Sequence, residues 1–281
     1  MITCNVCHNA CQLNEGNAGK CRARVNRGGK SVCANYGEIT SIALDPIEKK
    51  PLHMFHPGSY IVSVGSYGCN LRCPFCQNHE ISYGFGKEYE GGTRYISPED
   101  LAAIAYEYEN RGNIGVAFTY NEPLVGYEYV IDASKEVHKY GMKTVLVSNG
   151  CVTPETSDLV IPHIDAANID LKGFTDSYYK DVLGGDRQLV MDFIRAAAGR
   201  MHIELTTLIV PGYNDTKEEI SELAEWIAGL DGGKGKENVA LHITRYFPRY
   251  RLDRPATDVR LIYELRDVAA EYLDHVFAGN V

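Results

Sequence analysis

The chain has 281 residues, enough to bury a full core in one α/β barrel with an appendage or in two small domains. Lys plus Arg number 28 against 37 Asp plus Glu, a formal net charge of −9, and the absence of any basic block argues against a nucleic-acid binder. No apolar run reaches membrane length, the start Met1-Ile2-Thr3-Cys4 is no signal peptide, and nine cysteines therefore predict a cytoplasmic protein whose thiols serve metals rather than disulfides.

Residues 1–57 read as a separate unit. Cys4, Cys7, Cys11 and Cys21 are spaced C-x2-C-x3-C-x9-C, and Gly16, Gly19, Gly28 and Gly29 interrupt any regular element. A segment this short and glycine-rich has little core of its own, so a metal is expected to fold it. The four cysteines fit a structural zinc or a second iron–sulfur cluster that relays electrons. Cys33 stands apart and reads as a small buried residue. Residues 39–44 have strand composition, and turns are expected at Asp45-Pro46 and His56-Pro57-Gly58.

A buried strand over 60–65 then runs into Gly68-Cys69-Asn70-Leu71-Arg72-Cys73-Pro74-Phe75-Cys76-Gln77-Asn78. Cys69, Cys73 and Cys76 give three thiolates on one short loop with no fourth ligand nearby. That donor set suggests an iron–sulfur cluster with one iron open to a substrate. Beyond it the pattern alternates. A helix is expected over 98–111, with Ser97 as N-cap and Pro98 in the first turn. Strands are expected at 115–119, 144–148, 166–171, 203–210 and 239–244. Helices are expected near 127–140, 174–182, 187–200, 216–230 and 256–273. With no dinucleotide fingerprint, the βα rhythm predicts a partial (β/α)6 barrel of TIM type over 58–281, carrying a small cysteine-rich N-terminal module at 1–57.

Chemistry in such barrels sits at the carboxyl ends of the strands. The residues found there are the cysteine loop, Asn121-Glu122-Pro123, Ser148-Asn149-Gly150, Asp170-Leu171-Lys172, Val210-Pro211-Gly212, and His242 followed by Arg245-Tyr246-Phe247-Pro248-Arg249. The C-x3-C-x2-C loop resembles the signature of the radical S-adenosylmethionine (SAM) superfamily. That resemblance implies a [4Fe–4S] cluster, SAM bound at its open iron, and reductive cleavage to a 5′-deoxyadenosyl radical that abstracts hydrogen. A carboxylate should then meet the SAM ammonium, for which Glu122 is placed. Lys172 is a candidate for the SAM carboxylate. Ser148 and Asn149 can bond the methionine or ribose, and Phe75 can wall the adenine.

The order of these stretches is similar to pyruvate formate-lyase activating enzymes. By that likeness Phe75, Asn78, Glu122, Ser148, Asn149, Asp170, Lys172 and His242 form the SAM site, and Cys69, Cys73 and Cys76 hold the cluster. The likeness also implies a reductant such as flavodoxin or ferredoxin and a glycyl-radical protein as substrate; a small molecule or other macromolecule is the alternative target. A non-enzymatic iron–sulfur carrier fits less well, because a carrier needs no ring of polar strand ends. Two departures stand out. Tyr120 and Asn121 replace two glycines, which predicts a different backbone approach to SAM, and Val147 replaces an aspartate that helps bind a monovalent cation. The Thr119–Pro123 stretch, Asp45-Pro46-Ile47-Glu48-Lys49-Lys50-Pro51 and the N-terminal cysteines resemble the AmmeMemoRadiSam-type radical SAM proteins. Arg245, Arg249 and Arg251 read as a solvated loop or an anion site, and Tyr246, Phe247 and Tyr250 as packing.

Overall fold

The computed structural model describes residues 1–84 and 91–281. Among them one eight-stranded sheet organises the chain: β1 Ser41–Pro46, β2 Tyr60–Gly65, β3 Asn113–Phe118, β4 Lys143–Ser148, β5 Ala166–Asp170, β6 His202–Ile209, β7 Ala240–Arg245 and β8 Val276–Gly279. The strands lie side by side in chain order. β2 to β8 are parallel, and β1 pairs antiparallel with β2, Ile42 opposite Val64 and Leu44 opposite Val62. Each parallel crossover carries a helix: α1 Pro98–Glu107, α2 Tyr127–Lys139, α3 Pro154–Val160, α4 Arg187–Ala197, α5 Lys217–Ala228 and α6 Val259–Ala270. This is the expected partial barrel, extended by one strand at each edge. Residues 276–279 were too short a run to show a period. Residues 41–46, taken with the N-terminal unit, are built into the sheet.

The helices start where side chains can satisfy free amides. Ser97, Asp186, Thr216 and Asp258 each accept a backbone N–H in the first turn of α1, α4, α5 and α6. The helical stretch expected over 174–182 is instead a π-helical turn, Tyr178–Leu183, ended by Gly184 at φ +63°. Strand residues such as Val62, Val64, Val116 and Leu146 pack outward under the helices. Ile61, Ala117, Val145 and Ala166 face inward and form a small second core inside the barrel.

The segment after β1 fills the amino-end mouth of that barrel. Ile47 and Leu52 are fully buried against the inner strand residues. Asn168 donates to the Pro51 carbonyl at 2.9 Å, and the Glu204 carboxylate accepts the His53 and Met54 amides at 3.0 and 2.8 Å. The N-terminal cysteine unit is two short hairpins, Ile2–Thr3 with Gln12–Leu13 and Arg24–Arg27 with Lys30–Cys33. It docks on the other mouth, against the cysteine loop.

Candidate active site

The loop after β2 is fixed before any ligand is considered. Gly68 sits at φ +94°, and a side chain there would come within 2.5 Å of the Cys21 carbonyl, so only glycine fits. Asn9 donates to the Asn70 carbonyl at 2.9 Å, and Arg72 Nη1 to the Cys69 and Leu71 carbonyls at 2.9 and 2.7 Å. Arg72 Nη2 also reaches the Lys20 carbonyl. Asn70 bridges to the end of β4, donating to the Cys151 carbonyl at 2.7 Å and accepting from Asn149 at 2.9 Å. The loop is therefore held by the N-terminal hairpins behind it and by strand ends beside it.

Cys69, Cys73 and Cys76 all line a cavity of about 580 Å³ at the carboxyl ends of the strands. Cys69 and Cys73 are buried and Cys76 half-buried. Burial pushes the Cys73 thiol up to about 11 and the Cys69 thiol well above its usual value. Among the described residues no three His, Cys, Asp or Glu side chains close on a point as they would around a single ion. Three thiols lining one cavity supply the donor set of an iron–sulfur cluster in which each thiolate takes its own iron. The N-terminal thiols do not close on a point either. Cys4, Cys7 and Cys21 are buried, and polar hydrogens already face three of the sulfurs: Ser31 Oγ is 3.3 Å from Cys4 Sγ, the Lys20 amide 3.4 Å from Cys11 Sγ and Asn9 Nδ2 3.8 Å from Cys7 Sγ.

Beside the cysteine loop, Glu122 is 2% exposed. Its Oε1 accepts from the Ser148 hydroxyl at 2.7 Å and the Leu124 amide at 3.0 Å, and its Oε2 from the Asn149 amide at 2.8 Å. These donors are all neutral. Burial outweighs them and pushes the carboxyl up to about 7. Among the described residues no cation pairs with it, and a desolvated carboxylate on the cavity wall is a site prepared for one. The fit to the ammonium of SAM therefore rests on this residue and on the three thiols. Ser148 and the Asn149 side chain are engaged with Glu122 and Asn70, so they hold the site's carboxylate and loop. Lys172 Nζ pairs with Asp170 at 2.9 Å, and both line the cavity. Burial would strip the Lys172 proton, but Asp170 holds it on. Asn214 fixes this strand end by donating to the Lys172 carbonyl at 2.7 Å.

Phe75 and Asn78 also face the cavity. Asn78 donates to the Tyr120 carbonyl at 2.7 Å. Tyr120 corrects one expectation: it adopts φ +72°, the left-handed conformation that favours glycine, so the backbone turns there as a glycine would allow. Its ring swings away to place the hydroxyl 2.9 Å from Asp45 Oδ2, with Lys50 Nζ 5.3 Å from the ring centre and 2.8 Å from Asp45. Asn121 accepts from the Ser66 amide at 3.0 Å and donates to the Tyr67 and Gly68 carbonyls, both at 3.1 Å, tying β3 to the cysteine loop. The Asp45–Pro51 motif thus braces the site, a role its sequence did not reveal.

His242 is a second correction. It is not on the cavity wall. Its Nε2 lies 2.7 Å from Glu204, its ring stacks on Phe277 at 5.2 Å, and His53 meets it edge-on at 4.7 Å. Thr244, two residues on, lines the cavity instead. Strand alternation puts both on the inner face, one layer apart.

A partial parallel barrel with three thiols and a buried carboxylate lining one mouth has the donor set expected of a radical SAM protein. The family model described as the Radical SAM superfamily matches residues 63–227, more than half the chain, and the protein belongs to that superfamily. It is a relative of the pyruvate formate-lyase activating enzymes, being 27% identical to that of Clostridium pasteurianum over 206 residues, 72% of this chain and 81% of the other. An uncharacterized protein of Methanocaldococcus jannaschii, MJ0808, is 35% identical over 283 residues, covering all of this chain and 81% of its own. Among solved structures, a radical SAM methyltransferase from Sphaerobacter thermophilus superposes with a TM-score of 0.59 at 16% identity over 80% of this chain and 67% of its own, which speaks to the fold alone. Membership implies a [4Fe–4S] cluster and SAM, and the donor set fits both.

Proposed function

We propose that the chain is a radical SAM enzyme that cleaves SAM reductively and directs the resulting radical at a C–H bond. The observation that carries this reading is Glu122, a buried carboxylate without a cation beside three thiols on one cavity wall. Cys69, Cys73 and Cys76 would hold the cluster, which supplies the electron that splits SAM into methionine and a 5′-deoxyadenosyl radical. Glu122 receives the SAM ammonium. Lys172, oriented by Asp170, meets the SAM carboxylate. Asn78 and Asn121 keep the β3 end and the cysteine loop in register, so both halves of the site are assembled before SAM arrives. The buried walls exclude water, which protects a radical from quenching.

The activating-enzyme relatives support a glycyl-radical protein as target, with flavodoxin or ferredoxin as electron donor. Cys4, Cys7, Cys11 and Cys21 would bind a second metal, zinc or iron–sulfur, supported by their density and by the donors around their sulfurs. Anaerobic reconstitution, reduction and quantification of 5′-deoxyadenosine test the central claim: product from the parent chain and none from Cys73→Ala, which also loses the cluster's absorption, is expected. Absence of product from the fully reconstituted parent would overturn the reading.

A further inference from the structure

The cavity has a second half that the residues assigned to SAM leave unused. The end of β7 and the segment after it bring Arg245, Phe247 and Arg249 to the lining of the cavity that Glu122 and Lys172 also line. Arg245 is pre-positioned: its Nε donates to the Thr257 carbonyl at 2.7 Å and its guanidinium lies 4.6 Å from the Phe247 ring centre. The neighbouring Asp258 is paired with Arg260 at 3.0 Å. Among the described residues neither Arg245 nor Arg249 forms an ion pair, whereas the other lining cation, Lys172, does. Phe247 is 50% exposed, an apolar ring offered to solvent at the cavity mouth.

The segment is not a loose surface loop. The Tyr246 hydroxyl donates to the Leu252 carbonyl at 2.8 Å, the Arg249 amide to the same carbonyl at 3.1 Å, and the Arg251 amide to the Pro74 carbonyl of the cysteine loop at 2.8 Å. Arg251 itself stacks on Tyr250 at 4.9 Å and does not line the cavity. Two guanidinium forks that form no ion pair among the described residues, with Asp258 near Arg245 but paired to Arg260, stand beside an exposed ring and are anchored to the loop that bears the thiols; they make a recognition surface for an oxyanion.

We propose that Arg245 and Arg249 bind the anionic group, carboxylate or phosphate, of a small organic substrate whose apolar part lies on Phe247. This rests on the reading that the Glu122 half of the cavity takes SAM, and it takes the small-molecule target in place of the glycyl-radical protein that the relatives support. The whole chain, at −9, repels a large acidic partner at long range, while a small anion entering the mouth meets the local positive field first.

The test uses the reconstituted full chain with and without SAM. Inorganic phosphate and succinate are titrated calorimetrically, and the reduced cluster's EPR spectrum is followed with each. Saturable binding of one anion per chain is expected, with the tighter probe telling phosphate from carboxylate. Arg245→Gln with Arg249→Gln should weaken it at least about tenfold, and Arg249→Gln alone, at an exposed position, should show the same direction if the double variant folds poorly. Arg251→Gln should bind as the parent does. The proposal is overturned if neither probe binds, if the double variant binds as tightly as the parent, or if an acidic glycine-containing peptide binds where both small anions fail. SAM affinity, measured on the same samples, reports separately on the reading beneath it.

Discussion

Two of the buried carboxylates, Glu122 and Glu204, lie toward opposite mouths of the barrel, and their surroundings are opposite. Glu204, fully buried near the plugged mouth, accepts from His202 at 2.9 Å, from His242 at 2.7 Å and from two backbone amides. Burial alone would raise its carboxyl, but these donors win and hold it well below the usual carboxylate range. Glu122, at the open mouth, has neutral donors only, and burial wins. A buried charge that is fully answered is architecture. One left unanswered on a cavity wall is a binding site. His242 matters here: by partnering Glu204 it belongs to the architecture.

The largest effect should come from the answered charge. Glu204→Gln leaves two histidines facing an amide inside the barrel and should cost on the order of 3 kcal/mol in chemical denaturation, without altering the pH dependence of SAM binding. Because the folded carboxyl is held below its ordinary value of 4.5, the stability Glu204 contributes is present above that pH and is lost as pH falls below it; the variant should lack that part of the acid sensitivity. A variant as stable as the parent would erase the distinction between the two sites.

Glu122→Gln should do the reverse, weakening SAM about 10- to 100-fold in equilibrium binding while the ligand-free protein stays as stable as the parent or gains stability above neutral pH. The folded carboxyl is raised, so its stabilising contribution is complete below 4.5 and is lost as pH rises through about 7. The same ionisation should make SAM affinity in the parent increase as pH rises through about 7, and the variant should be flat in that range; an unchanged profile would remove Glu122 from the site. The smallest effect is expected at the brace. Tyr120→Phe removes one hydrogen bond to Asp45 and should cost about 1 kcal/mol, whereas Tyr120→Gly keeps the left-handed turn and should retain SAM binding.

The parallel strands, the helices between them and the cysteine loop were legible because each has a local pattern: buried runs, capped amphipathic stretches, a fixed thiol spacing. Of the predicted SAM residues, Phe75, Asn78, Glu122, Ser148, Asn149, Asp170 and Lys172 reach one cavity and His242 does not. Alternation along a strand tells which face a side chain takes but not its depth, and His242 lies one layer too deep. The plug at 47–57 and the turn of Tyr120 toward Asp45 were hidden for another reason. They depend on contacts far apart in the chain, such as Asn168 with Pro51 and Tyr120 with Asp45, which no local window contains.

Residues 47–57 fill the amino-end mouth of the barrel, so the proposed SAM and substrate sites share the opening at the carboxyl ends of the strands. A molecule seated on Arg245 and Arg249 would cork it. If SAM takes the Glu122 half as proposed, it should load ahead of the substrate, and a substrate seated at the mouth should hold what lies beneath it until it leaves. A dead-end analogue that seats after SAM should accordingly inhibit uncompetitively against SAM, and noncompetitive inhibition would mean that SAM reaches its site past the seated analogue by another opening.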